Sequence, residues 1–139
     1  MTDRKPELIA AAAAALDKAY APYSNHPVGS AILAADGQIY AGCNVENAAY
    51  PLGQCAEAIA IGNMVLAGVH AIEHLVVVGP GEHLCTPCGG CRQKIREFAG
   101  KTGAIITICD QRGNIMLETN SADLLPYSFG PENVDKTRS

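Results

Sequence analysis

The sequence predicts an α/β fold: a three-layer α/β/α sandwich on a mixed sheet of about five strands, in one domain spanning residues 1–139. Three observations carry this. Strand-like and helix-like stretches alternate along the chain, about five of the first and three or four of the second, as a layered α/β domain requires. The 139 residues contain no linker, no internal repeat and no low-complexity segment beyond an alanine run. A chain of this length can bury roughly two-thirds of its unfolded surface. Its composition, 48% apolar and 17% charged, is that of a folded protein rather than a disordered one.

Residues 6–20 read as an amphipathic helix. Pro6 suits a first turn, and Leu8, Ala12, Ala15, Leu16 and Ala19 recur near a 3.6-residue period. The Ala21-Pro22-Tyr23-Ser24-Asn25 stretch breaks it. Val28 to Ala34 reads as a buried strand, Asp36-Gly37 as a hairpin turn and Gln38 to Val45 as the partner strand. Asn44 to Asn47 should end that strand with polar side chains pointing away from the sheet, and Tyr50 to Gly53 is a loop. From Cys55 to Gly68 the pattern is helical but apolar nearly all round, with Glu57 its only charge. Such a helix has to be covered on every side, and so short a chain implies cover from a second copy, hence a homo-oligomer. His74 to Val78 is a continuous strand and Gly79 to Glu82 a loop. Gly89 to Phe98 is a helix, and Ala104 to Cys109 and Gly113 to Glu118 are two further strands. A short helix over Ser121 to Leu125 is stopped by Pro126, and the tail from Pro131 is polar and extended.

The net charge of -4 gives no broad basic face, which argues against a nucleic-acid partner. No run is long enough to span a bilayer. The amino end mimics a signal peptide, with Arg4 and Lys5 ahead of an apolar stretch and Ala19-Tyr20-Ala21. Asp3 and Glu7 dilute its positive start, however, and Asp17 and Lys18 fall where a cleavage site needs small neutral residues. The expectation is therefore a cytoplasmic protein whose six cysteines are reduced.

Three of those cysteines define the chemistry. In Cys85-Thr86-Pro87-Cys88-Gly89-Gly90-Cys91, Cys88 and Cys91 sit at a two-residue spacing at the start of a helix, where unpaired N–H groups favour thiolates. Cys55 opens the other helix two residues before Glu57. Three thiolates on one Zn2+ leave the fourth position for water, the mark of a catalytic site. Glu57 is placed to carry the water's proton, and an unpaired acid among so many apolar residues costs too much to be idle.

Two other metal readings compete. Cys85, Cys88 and Cys91 resemble an iron–sulfur run, but Ile95 stands where the fourth cysteine belongs. A structural zinc would need Cys85 or His83 as a fourth ligand. Outside the zinc set, Cys43, Cys85 and Cys109 are expected to be small buried apolar residues.

Cys55-Ala56-Glu57 followed by Pro87-Cys88-Gly89-Gly90-Cys91-Arg92-Gln93 resembles the zinc-dependent cytidine deaminases, specifically the small homotetrameric three-cysteine type. The resemblance extends through Tyr23-Ser24, Pro27-Val28-Gly29, Gly42 to Ala48, Tyr50 to Gly53 and Leu124 to Pro131. It implies hydrolytic deamination of cytidine or 2'-deoxycytidine by a zinc-activated water, with one Zn2+ per subunit on Cys55, Cys88 and Cys91 and Glu57 as the proton shuttle. It also implies that Asn44 and Glu46 bind the ribose hydroxyls, and that backbone groups at Ala56 and Thr86 hold the base. Ala48, Tyr50 and Phe129 match positions through which a neighbouring subunit completes the pocket. Glu46 would repel a 5'-phosphate, which favours a nucleoside over a nucleotide.

Two residues depart from the pattern. His26 stands where many members carry a phenylalanine that stacks on the pyrimidine. Ala58 stands where an arginine usually donates to the zinc thiolates. These leave two alternatives open: a deaminase of a modified cytosine nucleoside, as in blasticidin-type enzymes, or a catalytically idle zinc-stabilised oligomer.

Overall fold

Close backbone contact between helices and sheet sets the architecture. The structure, a computed structural model, describes residues 3–134. Helix α1 (Lys5–Leu16) buries Leu8, Ala12 and Leu16, one residue per turn on one face. It lies against strand β1 (Gly29–Ala34) at Gly29, where an added Cβ would sit 1.9 Å from the Ala12 carbonyl oxygen. The alanine run is therefore a packing surface: small side chains let the helix backbone approach the sheet.

The sheet order is β2-β1-β3-β4-β5, with β2 at Ile39–Cys43, β3 at Ile72–Val78, β4 at Ile105–Cys109 and β5 at Ile115–Asn120. Only β3 and β4 run parallel; the other three pairings are antiparallel, so the sheet is mixed. Ala31, Val76, Val78 and Cys109 face α1. Alternate residues such as Ile32, Leu75, Val77, Ile106 and Ile108 face the opposite layer, which holds α2 (Ala56–Leu66) and α3 (Gly89–Ala99). The expected three layers are present, with α1 alone on one side.

Strand register places the chemistry. Gly29, the first residue of β1, pairs with Cys43 at the end of β2 and with Val78 at the end of β3. The segment before β1, the segment after β2 and the segment after β3 therefore meet at one edge. Val45 exchanges backbone hydrogen bonds with Gln54, which closes residues 46–53 into a side loop. Cys55 is thereby brought back beside Asn44.

Three expectations need correction. The first helix ends at Leu16 rather than continuing to residue 20. Tyr20 is instead drawn to the sheet edge, donating its N–H to Asn44 O and accepting from Glu46 N. Ser121 to Leu125 forms consecutive three-residue turns and not a helix. The Asn120 side chain competes for the Ala122 N–H, and Pro126 brings no donor to continue the run. Asn44 and Glu46, expected to point away from the sheet, turn onto residues 23–28, which precede β1. Finally, the tail from Pro131 begins with a short helical turn, Pro131–Asn133. The rest of the expected extended tail, 135–139, lies outside the described residues.

Candidate metal centre and substrate cavity

Two helix starts supply the metal ligands. Cys55 caps α2 and Cys88 caps α3, each with extended backbone, and Cys91 lies in the first turn of α3. The three sulfur atoms lie within 4.8 Å of one another. Tetrahedral Zn–S bonds of about 2.3 Å put sulfurs about 3.8 Å apart, so a contraction of about 1 Å closes them on one ion. The donor set fits Zn2+, and among the described residues no fourth ligand joins it. Cys85, three residues upstream of Cys88, lies outside the group, as does His83.

The backbone also prepares the ligands. The Cys88 thiol is pulled below its ordinary range, chiefly by the Cys91 N–H, with Gly90 N–H contributing. Burial pushes Cys91 and Cys55 the other way. A divalent cation removes that penalty by pairing with the thiolates it binds. Ala58 carries no charge, and of the three thiols only Cys88 is held towards the thiolate, by backbone N–H groups.

Glu57 is 4% exposed, and burial raises its carboxyl pKa above the ordinary value, outweighing its own backbone N–H and then the charge of Lys94. No side chain hydrogen-bonds it among the described residues. It borders a cavity of about 360 Å³, whose wall also includes Cys55 and Cys88. This volume falls in the range of about 300–1,000 Å³ typical of small-molecule sites.

The same cavity collects His26, Asn44, Glu46, Ala56 and Thr86, every one of them expected from the sequence. Glu46 is held by the N–H groups of Tyr23 (2.9 Å) and Ser24 (3.1 Å) and by the Ser24 hydroxyl. These donors keep its carboxyl below the usual range, the Ser24 hydroxyl first. Asn44 accepts from Val28 N and donates to His26 O, both at 2.9 Å. The two residues thus brace the segment that presents the His26 ring. That ring reaches Cys85 Sγ at 3.8 Å from Nε2.

Tyr50 lines an adjoining hollow with Tyr23, Ser24 and Glu46, its ring 5.9 Å from that of Tyr23. Ala48 is exposed nearby and lines neither cavity. Phe129 is elsewhere: 62% exposed, beside Glu97, Gly130 and Val134.

Sequence reasoning did not assign Ser24 and Cys85 to the site, yet both line the cavity. Of the three cysteines expected to be buried filler, Cys109 is fully buried, its pKa pushed up to about 11, whereas Cys43 and Cys85 are only half-buried. Ser24 follows Pro22 in a helix-to-strand link, and only its capture of Glu46 22 residues on reveals its part.

An α/β/α domain that clusters three thiols, two of them lining one cavity with a buried carboxylate, defines a zinc-dependent hydrolase. Residues 2–109 match the cytidine and deoxycytidylate deaminase zinc-binding region, and the chain belongs to that family. A cytidine deaminase from Sporosarcina psychrophila is 44% identical over 128 residues, 92% of this chain and 93% of that one. The crystal structure of cytidine deaminase from Burkholderia pseudomallei superposes with a TM-score of 0.83 at 42% identity, covering 93% of this chain and all of the other. The Mycobacterium tuberculosis cytidine deaminase structure gives 0.76 at 33% identity, over 93% and 99% of the two chains.

Proposed function

We propose that the protein hydrolyses cytidine and 2'-deoxycytidine to uridine and 2'-deoxyuridine, releasing ammonia, in pyrimidine salvage. The observation that carries this is the convergence of Cys55, Cys88 and Cys91 beside buried Glu57 in a cavity of nucleoside size. Zn2+ held by the three thiolates would supply the Lewis acidity that activates a water for attack on C4 of the base. Glu57 would carry one proton of that water to N3, and then the proton of the new C4 hydroxyl to the amino group, which leaves as ammonia as the C4–N bond breaks and the C4 carbonyl forms. A carboxyl whose proton affinity is raised by burial suits both directions of transfer. The backbone at Ala56 and Thr86 holds the base, and His26 covers its face.

Asn44 and Glu46 bind the ribose hydroxyls. Because the protein already fixes both side chains, they meet the sugar with little loss of freedom. The ionised Glu46 repels a 5'-phosphate, so the substrate is a nucleoside. Plain cytosine is preferred over a modified base because relatives matched over most of the chain are cytidine deaminases.

The working unit is a cytoplasmic homotetramer of single-domain chains. In one chain the outer side of α2 is uncovered, with Leu66 87% and Val65 38% exposed. A second copy presenting the same apolar patch is the fitting cover for that side. Tyr50, 74% exposed, and Ala48 then border a shared pocket, and Phe129 enters that of a neighbour.

Zinc-loaded protein is expected to release ammonia from cytidine with the accompanying loss of ultraviolet absorbance. Glu57→Gln should lower kcat by about 100-fold or more while retaining one zinc per chain. Equal inertness of wild type and variant toward every cytosine nucleoside would leave an idle zinc-stabilised oligomer.

A further inference from the structure

We infer that Arg96 is a positioning residue for a neighbouring subunit's active site, acting by fixing the backbone of the arm that carries Phe129. The inference rests on the shared-site reading above.

Residues 127–134 combine a fastened backbone with outward side chains. Tyr127 is fully exposed, and Phe129 and Val134 are largely so. An apolar segment with so little burial of its own has small reason to hold one conformation. Its order comes from α3. Arg96, only 6% exposed, donates from Nε to Ser128 Oγ at 2.7 Å and forms an ion pair with Glu132 through Nη2. Three residues earlier on the same helix, Gln93 donates to the Phe129 carbonyl at 2.8 Å.

The contacts bracket Phe129 on both sides. Between them the guanidinium lies flat against Gly130, where a Cβ would fall 2.4 Å from the guanidinium carbon. Gly130 N–H in turn donates to Asn133 Oδ1, closing the turn beyond. The chain thus spends a buried arginine on a segment that fills none of its own core.

That expense has no evident use within one subunit. Phe129 does not line its own chain's cavity, and neither does any other residue of the arm. What Arg96 fixes is the direction in which an exposed aromatic ring is presented. A ring that stacks on a base contributes about 0.5–1.5 kcal/mol beyond its buried area, and only at a defined offset. Arg96 would therefore raise substrate affinity in a site it never touches.

Mixed tetramers test this. Arg96→Ala should remain tetrameric and zinc-loaded, with KM for cytidine raised about tenfold and kcat nearly unchanged. Glu57→Gln supplies subunits with a dead site and an intact arm. Co-assembled with Arg96→Ala, it should restore near-wild-type KM to the sites whose Glu57 is intact. Should Arg96→Ala not fold, Glu132→Gln, which alters only the outer partner, should show a smaller KM increase with the same recovery on mixing. An unchanged KM in folded Arg96→Ala and Glu132→Gln, or a rise that mixing does not correct, would overturn the inference while leaving deamination intact. A zinc-loaded wild type without activity would remove both.

Discussion

Polar side chains in this molecule are assigned their work by how much water and how many partners each retains. Glu57 loses its water without gaining a side-chain partner, and its carboxyl is left disposed to accept a proton. Glu118 is the opposite case: Lys5 Nζ at 2.8 Å and the Thr107 hydroxyl at 2.8 Å hold it ionised. The Thr107 proton is committed to Glu118, so the bond between Thr107 and His74, 2.7 Å long, must be donated by His74 Nε2–H. A chain of polar groups therefore crosses three strands on the α1 side of the sheet, ending at a histidine that is 8% exposed. Burial lowers the His74 pKa from 6.5, outweighing the attraction of Glu118 and Asp3; Lys5 adds repulsion. The fold thus favours neutral His74. Its contribution is complete above about pH 6.5 and declines as pH falls from there through the folded value, because the unfolded chain takes up the proton first. His74→Gln keeps a donor for Thr107 and does not titrate. Its melting temperature should fall less steeply than that of wild type between about pH 7 and pH 5, and parallel slopes would rule out His74 as the titrating group.

At the scale of elements, the close approach of α2 to the sheet decides where Cys55 goes. Gly42 on β2 lies under α2 so tightly that a Cβ would meet Ala60 N at 2.4 Å and Ala56 O at 2.6 Å. This seats Cys55 and Glu57 next to the residues that follow β2. Gly42→Ala should force α2 outward, costing about 1–3 kcal/mol of stability. Activity should fall further than stability, since about 1 Å of misplacement can cost on the order of 100-fold in rate. Zinc content and turnover measured well below the melting temperature would separate the two effects, and an unaltered kcat would show that α2 is not positioned by this contact. Much of this level was legible in the residues. Short strand-like runs bounded by turn residues marked all five strands, and cysteines at two helix starts marked the metal centre. The losses came where side chains compete with the backbone, as at Asn120, or where a distant edge captures a residue, as with Tyr20. Ser24 and Cys85 escaped notice because their partners, Glu46 and His26, are 22 and 59 residues away, and no local pattern encodes such pairings.

For the whole molecule, the apolar character of α2 links the fold to the proposed assembly. The sequence required cover on every side of this helix, and one chain provides it on the inner side only, over Ala56, Ala60, Ile61 and Met64. Leu66, Val65 and Gly62 remain open to solvent on the outer side. Burying a leucine side chain fully contributes about 1.5–3 kcal/mol, and each copy in a symmetric assembly contributes the same patch, so the gain repeats at every interface. An arginine in its place would bring like charges together at those same interfaces. If α2 packs against another copy, Leu66→Arg should break the tetramer into smaller species by light scattering while each chain keeps its zinc and its far-ultraviolet spectrum. Activity should then fall with assembly, because Phe129 does not line the cavity that Glu57 borders in its own chain. A Leu66→Arg protein that stays tetrameric would place the contact on another face. A wild type that is monomeric and fully active would mean that the single-chain cavity is sufficient for turnover.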